Sequence, residues 1–195
     1  PYAFALKIVF TAITIGAFGA EGADEDCFLI MDENYVECDQ VILMANDTAN
    51  HPHGEGYLDF HEIRVLGPKN YIVMGYNRLK VVLPESLTGV DENNSAYVKA
   101  VQLQQQTDGK VLWEINSADY PILFENSSEN CNYPNTSETS YSDYMHCNAM
   151  DWLEDESGAV TKVVCSFRNQ ESLVQFDVTD GDAAKIDWIY IGKAS

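Results

Sequence analysis

The feature that most constrains this chain is a pattern that occurs twice. In one copy His61 leads into an apolar run, a turn, "NYIVMGYN", and then "AVQLQQQTDGKVLWEI". In the other, His146 leads into an apolar run, a turn, "TKVVCSFRN", and then "LVQFDVTDGDAAKIDWIYI". Each copy carries V-Q-apolar, then T-D-G, then a tryptophan closely followed by isoleucine, so that Val101 matches Val174 and Trp113 matches Trp188. The short runs rich in β-branched and aromatic residues, bounded by Gly, Asp and Asn, predict antiparallel hairpins. A repeating unit of four short antiparallel strands is the sequence signature of a β-propeller blade. Two similar hairpin pairs in a β-sandwich remain the alternative.

The rest of the chain reads the same way. "FLIMDENYVEC" is two apolar runs around a D-E-N turn, "HEIRVLGPKNYIVMGYN" is a strand pair around "GPKN", and "RLKVVLP" follows. No sustained 3.6-residue period of helical length is present. The expectation is an all-β, propeller-like chain of three to four blades. Residues 1–54 supply N-terminal strands and a hairpin. Residues 55–125 and 143–195 are the two blade-like repeats, separated by a polar insertion loop at 126–142. The run "IVFTAITIGAFGA" (8–20) has the make-up of a signal-peptide core but reads as strands, and it is too short to cross a bilayer as a helix. No membrane span is expected.

Charge excludes several partners. Among 195 residues, 31 Asp and Glu stand against 11 Lys and Arg, a formal net charge of -20. Nucleic acid and anionic lipid both demand a basic surface, so neither is expected as a partner. A site for an anion would be a local exception to this field. Four N-glycosylation sequons, at Asn46, Asn93, Asn126 and Asn135, lie in polar connecting segments and point to a secreted, extracellular glycoprotein. Disulfides are expected in that compartment. Cys27–Cys38 would close the first hairpin and Cys131–Cys147 would pin the loop before His146, although four cysteines permit three connectivities. Cys165, inside an apolar strand, reads as a buried thiol.

Cations are scarce, which makes "DYMHCNAMDW" and "CSFRNQ" informative: His146, Asn148 and Arg168, one of three arginines, fall within a short span. Here the chain resembles the arylsulfotransferase family, the propeller enzymes that move sulfate between phenols. "YLDFHEIRVLGPKNYIVMGY" is similar to that family's D-x-H-E segment, and "VQLQQQTDGKVLWEINSADY" to its blade-closing segment. "DYMHCNAMDW", "CSFRNQESLVQFD" and "IDWIYIG" resemble its H-x-N unit, its S-x-R and its W-x-x-G. The resemblance spans about residues 55–192.

The resemblance implies a six-bladed ring with the site at its central channel. His61, His146, Asn148 and Arg168 would line that channel, His61, His146 and Arg168 as catalytic groups and Asn148 with Arg168 as sulfuryl ligands. Sulfuryl transfer, like phosphoryl transfer, spreads charge over equatorial oxygens and needs aimed donors. Neutral imidazole can also protonate a departing phenolate. No metal or other cofactor is required. The partners implied are an aryl sulfate and a phenolic acceptor. The resemblance also implies a nucleophilic histidine downstream of the W-x-x-G segment, whereas the sequence ends at Ser195. At about 40–50 residues per blade, six blades need more chain, so a further segment or another chain, including a second copy, is expected to complete the ring. Whether such a chain is an enzyme, or a non-catalytic propeller module in an extracellular assembly or filament, stays open at this point.

Plainer readings stand beside these. His61 could simply bond Asp59 or Glu62, Asn148 could stabilise a turn, and Arg168 could pair with a carboxylate. His51, His53 and His61 offer three imidazoles, but their spacing matches no compact zinc motif. The acidic run 151–156 lacks the glycine-punctuated pattern of a calcium loop. Trp113, Trp152 and Trp188 are expected to pack between blades.

Overall fold

Residues 11–15, 27–32, 34–44, 56–127, 133–181 and 183–192 are described by the structure, a computed structural model. Its strands form wherever the sequence alternates β-branched or aromatic residues between turn residues. They are β1 (Thr11–Ile15), β2 (Cys27–Met31), β3 (Glu37–Val41), β4 (Tyr57–Gly67), β5 (Asn70–Val82), β6 (Ser95–Thr107), β7 (Lys110–Asn116), β8 (Cys147–Glu154), β9 (Val160–Phe167), β10 (Ser172–Asp177) and β11 (Lys185–Ile191). The protein is all-β. Its three sheets run in the orders β1-β2-β3, β4-β5-β6-β7 and β11-β10-β9-β8. Each is an antiparallel meander in which sequence neighbours are spatial neighbours. None of the described sheets closes on itself.

Turn chemistry explains the hairpins. Between β6 and β7, Asp108 and Gly109 take φ of 47° and 72°, the two successive positive values that a tight two-residue hairpin requires. Between β2 and β3, the Asp32 carboxylate accepts the backbone N–H groups of Asn34 and Val36, both at 2.9 Å. Asp155 does the same for Ser157 and Ala159 between β8 and β9.

The second sheet is packed on both faces. Tyr71 and Val73 of β5 meet Phe28, Ile30, Val41 and Leu43 of the first sheet region. The alternate residues Ile72, Met74 and Tyr76 join a larger core with Met150, Val163, Cys165, Phe167, Val174 and Phe176 of the third sheet. Burial on both sides is why "YIVMGY" reads as a continuous apolar run. Each fully buried aliphatic side chain here stabilises the fold by about 1.5–3 kcal/mol.

Opposite the first sheet, β6 presents amides instead of hydrocarbon. Gln104 accepts from Met44 N–H at 3.0 Å and donates to Met44 C=O at 2.6 Å, while Gln106 donates to Ile42 C=O at 2.8 Å. Both also belong to a buried chain ending at Glu114, whose carboxylate accepts from Gln102 and Gln104. The row of side-chain amides acts on residues 42–44 as a neighbouring strand would, satisfying groups that burial would otherwise leave unpaired.

Several expectations need correction. The runs around "NYIVMGYN" and "RLKVVLP" are one strand of 13 residues. A five-residue helix, α1 (Pro121–Glu125), follows β7. The described part of the 126–142 loop is docked: Tyr133 is buried against Phe124, and Ser142 exchanges backbone hydrogen bonds with Tyr97 and Lys99 of β6. Trp113 is buried and donates to Gln105, but Trp188 on β11 is 41% exposed. The Cys27–Cys38 bridge does not form. Phe28 pairs with Val41 whereas Ile30 pairs with Asp39, so the two cysteines sit about 10 Å apart along the ladder, beyond disulfide reach. Cys147 is a buried free thiol, as is Cys165, and Cys131 lies outside the described residues. Burial, with Cys147 alongside, pushes the Cys165 thiol up.

Candidate functional site

The site begins with an irregularity in β4. Leu58 pairs with Gly75 and Ile63 with Val73, so residues 59–62 bulge out of the ladder. A bulge re-aims side chains. Here it displays Asp59, His61 and Glu62. Asp59 Oδ1 accepts both the His61 backbone N–H, at 2.8 Å, and the His61 ring Nδ1, at 2.5 Å. The next residues grip the third sheet. Glu62 accepts from Met150 N–H, Arg64 donates to Met150 C=O at 2.8 Å, Glu62 and Arg64 pair with each other, and the Arg64 guanidinium lies 5.6 Å from the Trp152 ring centre. This clamp fixes β4 against β8.

His146 stands on the other side of that contact. Its backbone is left-handed, φ 53°, and the turn is locked by Arg168 N–H to His146 C=O and Asn169 N–H to Met145 C=O, both 2.9 Å. The Asn169 side chain adds a bond to Asp143 C=O. Asp143 Oδ2 lies 2.5 Å from His146 Nδ1. The result is two histidine–aspartate dyads whose imidazoles face each other edge to face, ring centres 5.5 Å apart. A carboxylate on Nδ1 fixes the tautomer with its proton there, which makes Nε2 the basic nitrogen of each ring.

Asn148 and Arg168 form a second group beside the first. Asn148 is the extra residue of a bulge between the pairs Cys147–Phe167 and Ala149–Ser166. Together with Arg168, Ser166, Ser172, Glu171 and Tyr190 it lines a cleft of about 310 Å³. Arg168 is exposed, its Nε–H donating to Asn169 at 3.2 Å, and Asn148 Oδ1 is buried without a hydrogen-bond partner. A planar guanidinium beside an amide and hydroxyls suits a tetrahedral oxyanion. A larger cleft of about 390 Å³, toward the Lys69–Asn70 end of β5, holds neither imidazole nor arginine.

The four residues singled out in the sequence therefore come together in pairs, His61 with His146 and Asn148 with Arg168, joined through the 146–168 backbone bond. The plainer expectation for His61, a bond to Asp59, is also met, and the two readings do not compete. Sequence reasoning passed over Asp143, although its D-x-x-H spacing is visible once D-x-H is recognised as a dyad. His51, His53 and Asn46 lie outside the described residues, and among the described residues no group of His, Cys, Asp and Glu could hold a metal ion. Of the other sequons, Asn93 and Asn135 are exposed and Asn126 is half-buried. No helix among the described residues is long and apolar enough to cross a membrane. No family model, no curated protein and no solved structure matches the chain.

Proposed function

We propose that the chain is an arylsulfotransferase-like, secreted propeller module that moves a sulfuryl group between phenols. The observation that carries this reading is the facing pair of histidine–aspartate dyads. The donor is an aryl sulfate, so the leaving group and the acceptor are both phenols, and the reaction needs one base and one acid of the same kind. One Nε2 takes the acceptor's phenolic proton as the new S–O bond forms. The other imidazole, protonated, gives its proton to the departing phenolate as the old S–O bond breaks. The roles reverse for the return reaction. Arg168 and Asn148 hold sulfuryl oxygens near this axis. That the group is sulfuryl rather than phosphoryl rests on the sequence resemblance. The propeller reading draws support from the two four-stranded meanders and from the clamp between their first strands, β4 and β8.

The test is transfer from p-nitrophenyl sulfate to phenol, followed by p-nitrophenolate release and by phenyl sulfate formation. His61→Asn and His146→Asn should each lower the rate by about 10²–10⁴, with Asn tolerated at the left-handed position of His146. No turnover of the aryl sulfate by the wild-type protein would sink the reading. Turnover of p-nitrophenyl phosphate instead would replace sulfuryl by phosphoryl.

A second reading, a non-catalytic assembly module, is favoured by one feature. Among the described residues β11 is an edge strand, and it exposes Trp188, Tyr190 and Ile191 at 41, 65 and 45%. Open apolar edges pair with other chains. Concentration-dependent self-association abolished by Tyr190→Lys, without any sulfuryl transfer, would select it.

A further inference from the structure

The cleft of Asn148 and Arg168 extends beyond those two residues, across three further strands. Register puts Tyr190 of β11 opposite Leu173 of β10, Leu173 opposite Ser166 of β9, and Ser166 opposite Ala149, next to the bulged Asn148 of β8. Directly opposite residues share a face of the sheet. One row therefore runs from a phenol ring through an isobutyl group to a hydroxyl and an amide. Tyr190, Leu173, Ser166 and Asn148 all line the same cleft of about 310 Å³. That is at the low end of small-molecule sites, which span about 300–1,000 Å³. At about 4.8 Å between strands, the row from Ser166 to Tyr190 is about 10 Å long, enough for a benzene ring with a substituent at each end. Leu173 and Tyr190 are 41 and 65% exposed, so their apolar surfaces are open to a ligand.

Charge is divided across this cleft. Arg168 and Glu171 bracket the turn between β9 and β10, and both line it. The Arg168 backbone N–H bonds to His146 C=O, on the β8 side, whereas Glu171 C=O accepts from Gly192 N–H at 2.7 Å, just past β11. Both side chains are exposed, and among the described residues no ion pair joins them. A carboxylate in an anion site is otherwise a liability. In a molecule of net charge -20 it adds to a field that already disfavours an anionic ligand.

We infer that this cleft takes a zwitterionic aryl sulfate, a benzene ring with a sulfate ester at one end and an alkylammonium at the other, and that Glu171 selects the ammonium. The sulfate meets Arg168 and Asn148, the ring lies against Leu173 and Tyr190, and the ammonium donates to the Glu171 carboxylate. Such a ligand is neutral overall, so the acidic molecule does not repel it as it repels a simple aryl sulfate. The sulfate rests on the proposed sulfuryl transfer, whereas the ammonium rests on Glu171 and the net charge.

The experiment titrates two ligands into the full chain by calorimetry, for the wild type and Glu171→Gln. One is tyramine O-sulfate, and the other is 4-methylphenyl sulfate, which keeps the ring and the ester but lacks the ammonium. The wild type is expected to bind tyramine O-sulfate about 10-fold more tightly, and Glu171→Gln to bind the two alike. Binding of 4-methylphenyl sulfate should hold or strengthen in the variant, which also shows that it is folded. Equal affinities in the wild type, a preference that survives in Glu171→Gln, loss of both ligands in that variant, or binding of neither by the wild type would overturn the inference. An ammonium preference that depends on Glu171, without sulfuryl transfer from either ester, would remove the transferase reading and leave this inference standing. Transfer from both esters with equal KM would do the reverse.

Discussion

A histidine becomes a usable base or acid through what holds its other nitrogen. In this protein both imidazoles are held by a carboxylate close in sequence, Asp59 at two residues and Asp143 at three. Asp143→Asn keeps the shape and the hydrogen bond but can present an N–H to Nδ1, favouring the wrong tautomer. The expected outcome is a transfer rate reduced by about 10³–10⁴ with the KM for the aryl sulfate little changed, measured by steady-state kinetics. A rise in KM with an intact rate would show that Asp143 acts in binding alone. The imidazoles were legible in the sequence through motif resemblance, as were Asn148 and Arg168. Their carboxylates were less so, because Asp and Glu are so abundant here that no single one stands out.

At the scale of elements, strands and turns were legible because their cues are local: period-two alternation and Asp-Gly or Asp-Glu-Asn turns. The repeat holds at the tryptophans, since Gln105 pairs with Trp113 and Gln175 with Trp188, each followed by a bulge, but the match of Val101 with Val174 does not: Gln175 stands where Gln105 does, three residues beyond Gln102. What the sequence hid was set by distant partners. "VQLQQQ" reads as a strand, but its buried amides answer to residues 42–44, some sixty positions away. Close approach of distant chain also demands Gly75, where an added Cβ would lie 2.4 Å from Tyr57 O of β4 and 2.8 Å from the Leu43 side chain. Gly75→Ala should cost about 1–3 kcal/mol in chemical denaturation, because backbone cannot yield as a flexible side chain can. Gly67→Ala, with no atom within 4 Å of the added carbon, serves as the neutral control. Equal stability of the two variants would mean that Tyr57 of β4 and Leu43 do not close over Gly75 as described.

For the whole molecule, charge is the dominant unspent term. A formal net charge of -20 on 195 residues repels itself in the compact state more than in the expanded one. Opposing this, among the described residues, are ion pairs such as Lys162 with Asp177 and Asp187, Lys80 with Asp91, and Arg64 with Glu62. Lys162 and Thr179 hold the Asp177 carboxyl below the usual carboxylate range, and Lys80 and Ser95 do the same for Asp91. Their stabilisation is present above the ordinary carboxylate pKa and is lost as pH falls through the lower folded values, so it is complete at neutral pH. Lys80–Asp91 is exposed and the Lys162 pairs are half-buried at the surface, where solvent screens them and pairs contribute little. Repulsion should therefore prevail at neutral pH. Melting temperature is expected to rise with NaCl, most steeply between about 0.01 M and about 0.1 M, where the Debye length shrinks from about 30 Å to about 10 Å. A rise confined to higher salt would point to general salt effects on burial instead. A fall in melting temperature over the lower range would mean that the few pairs outweigh the net charge, and that the acidic surface is arranged in local neutralising clusters.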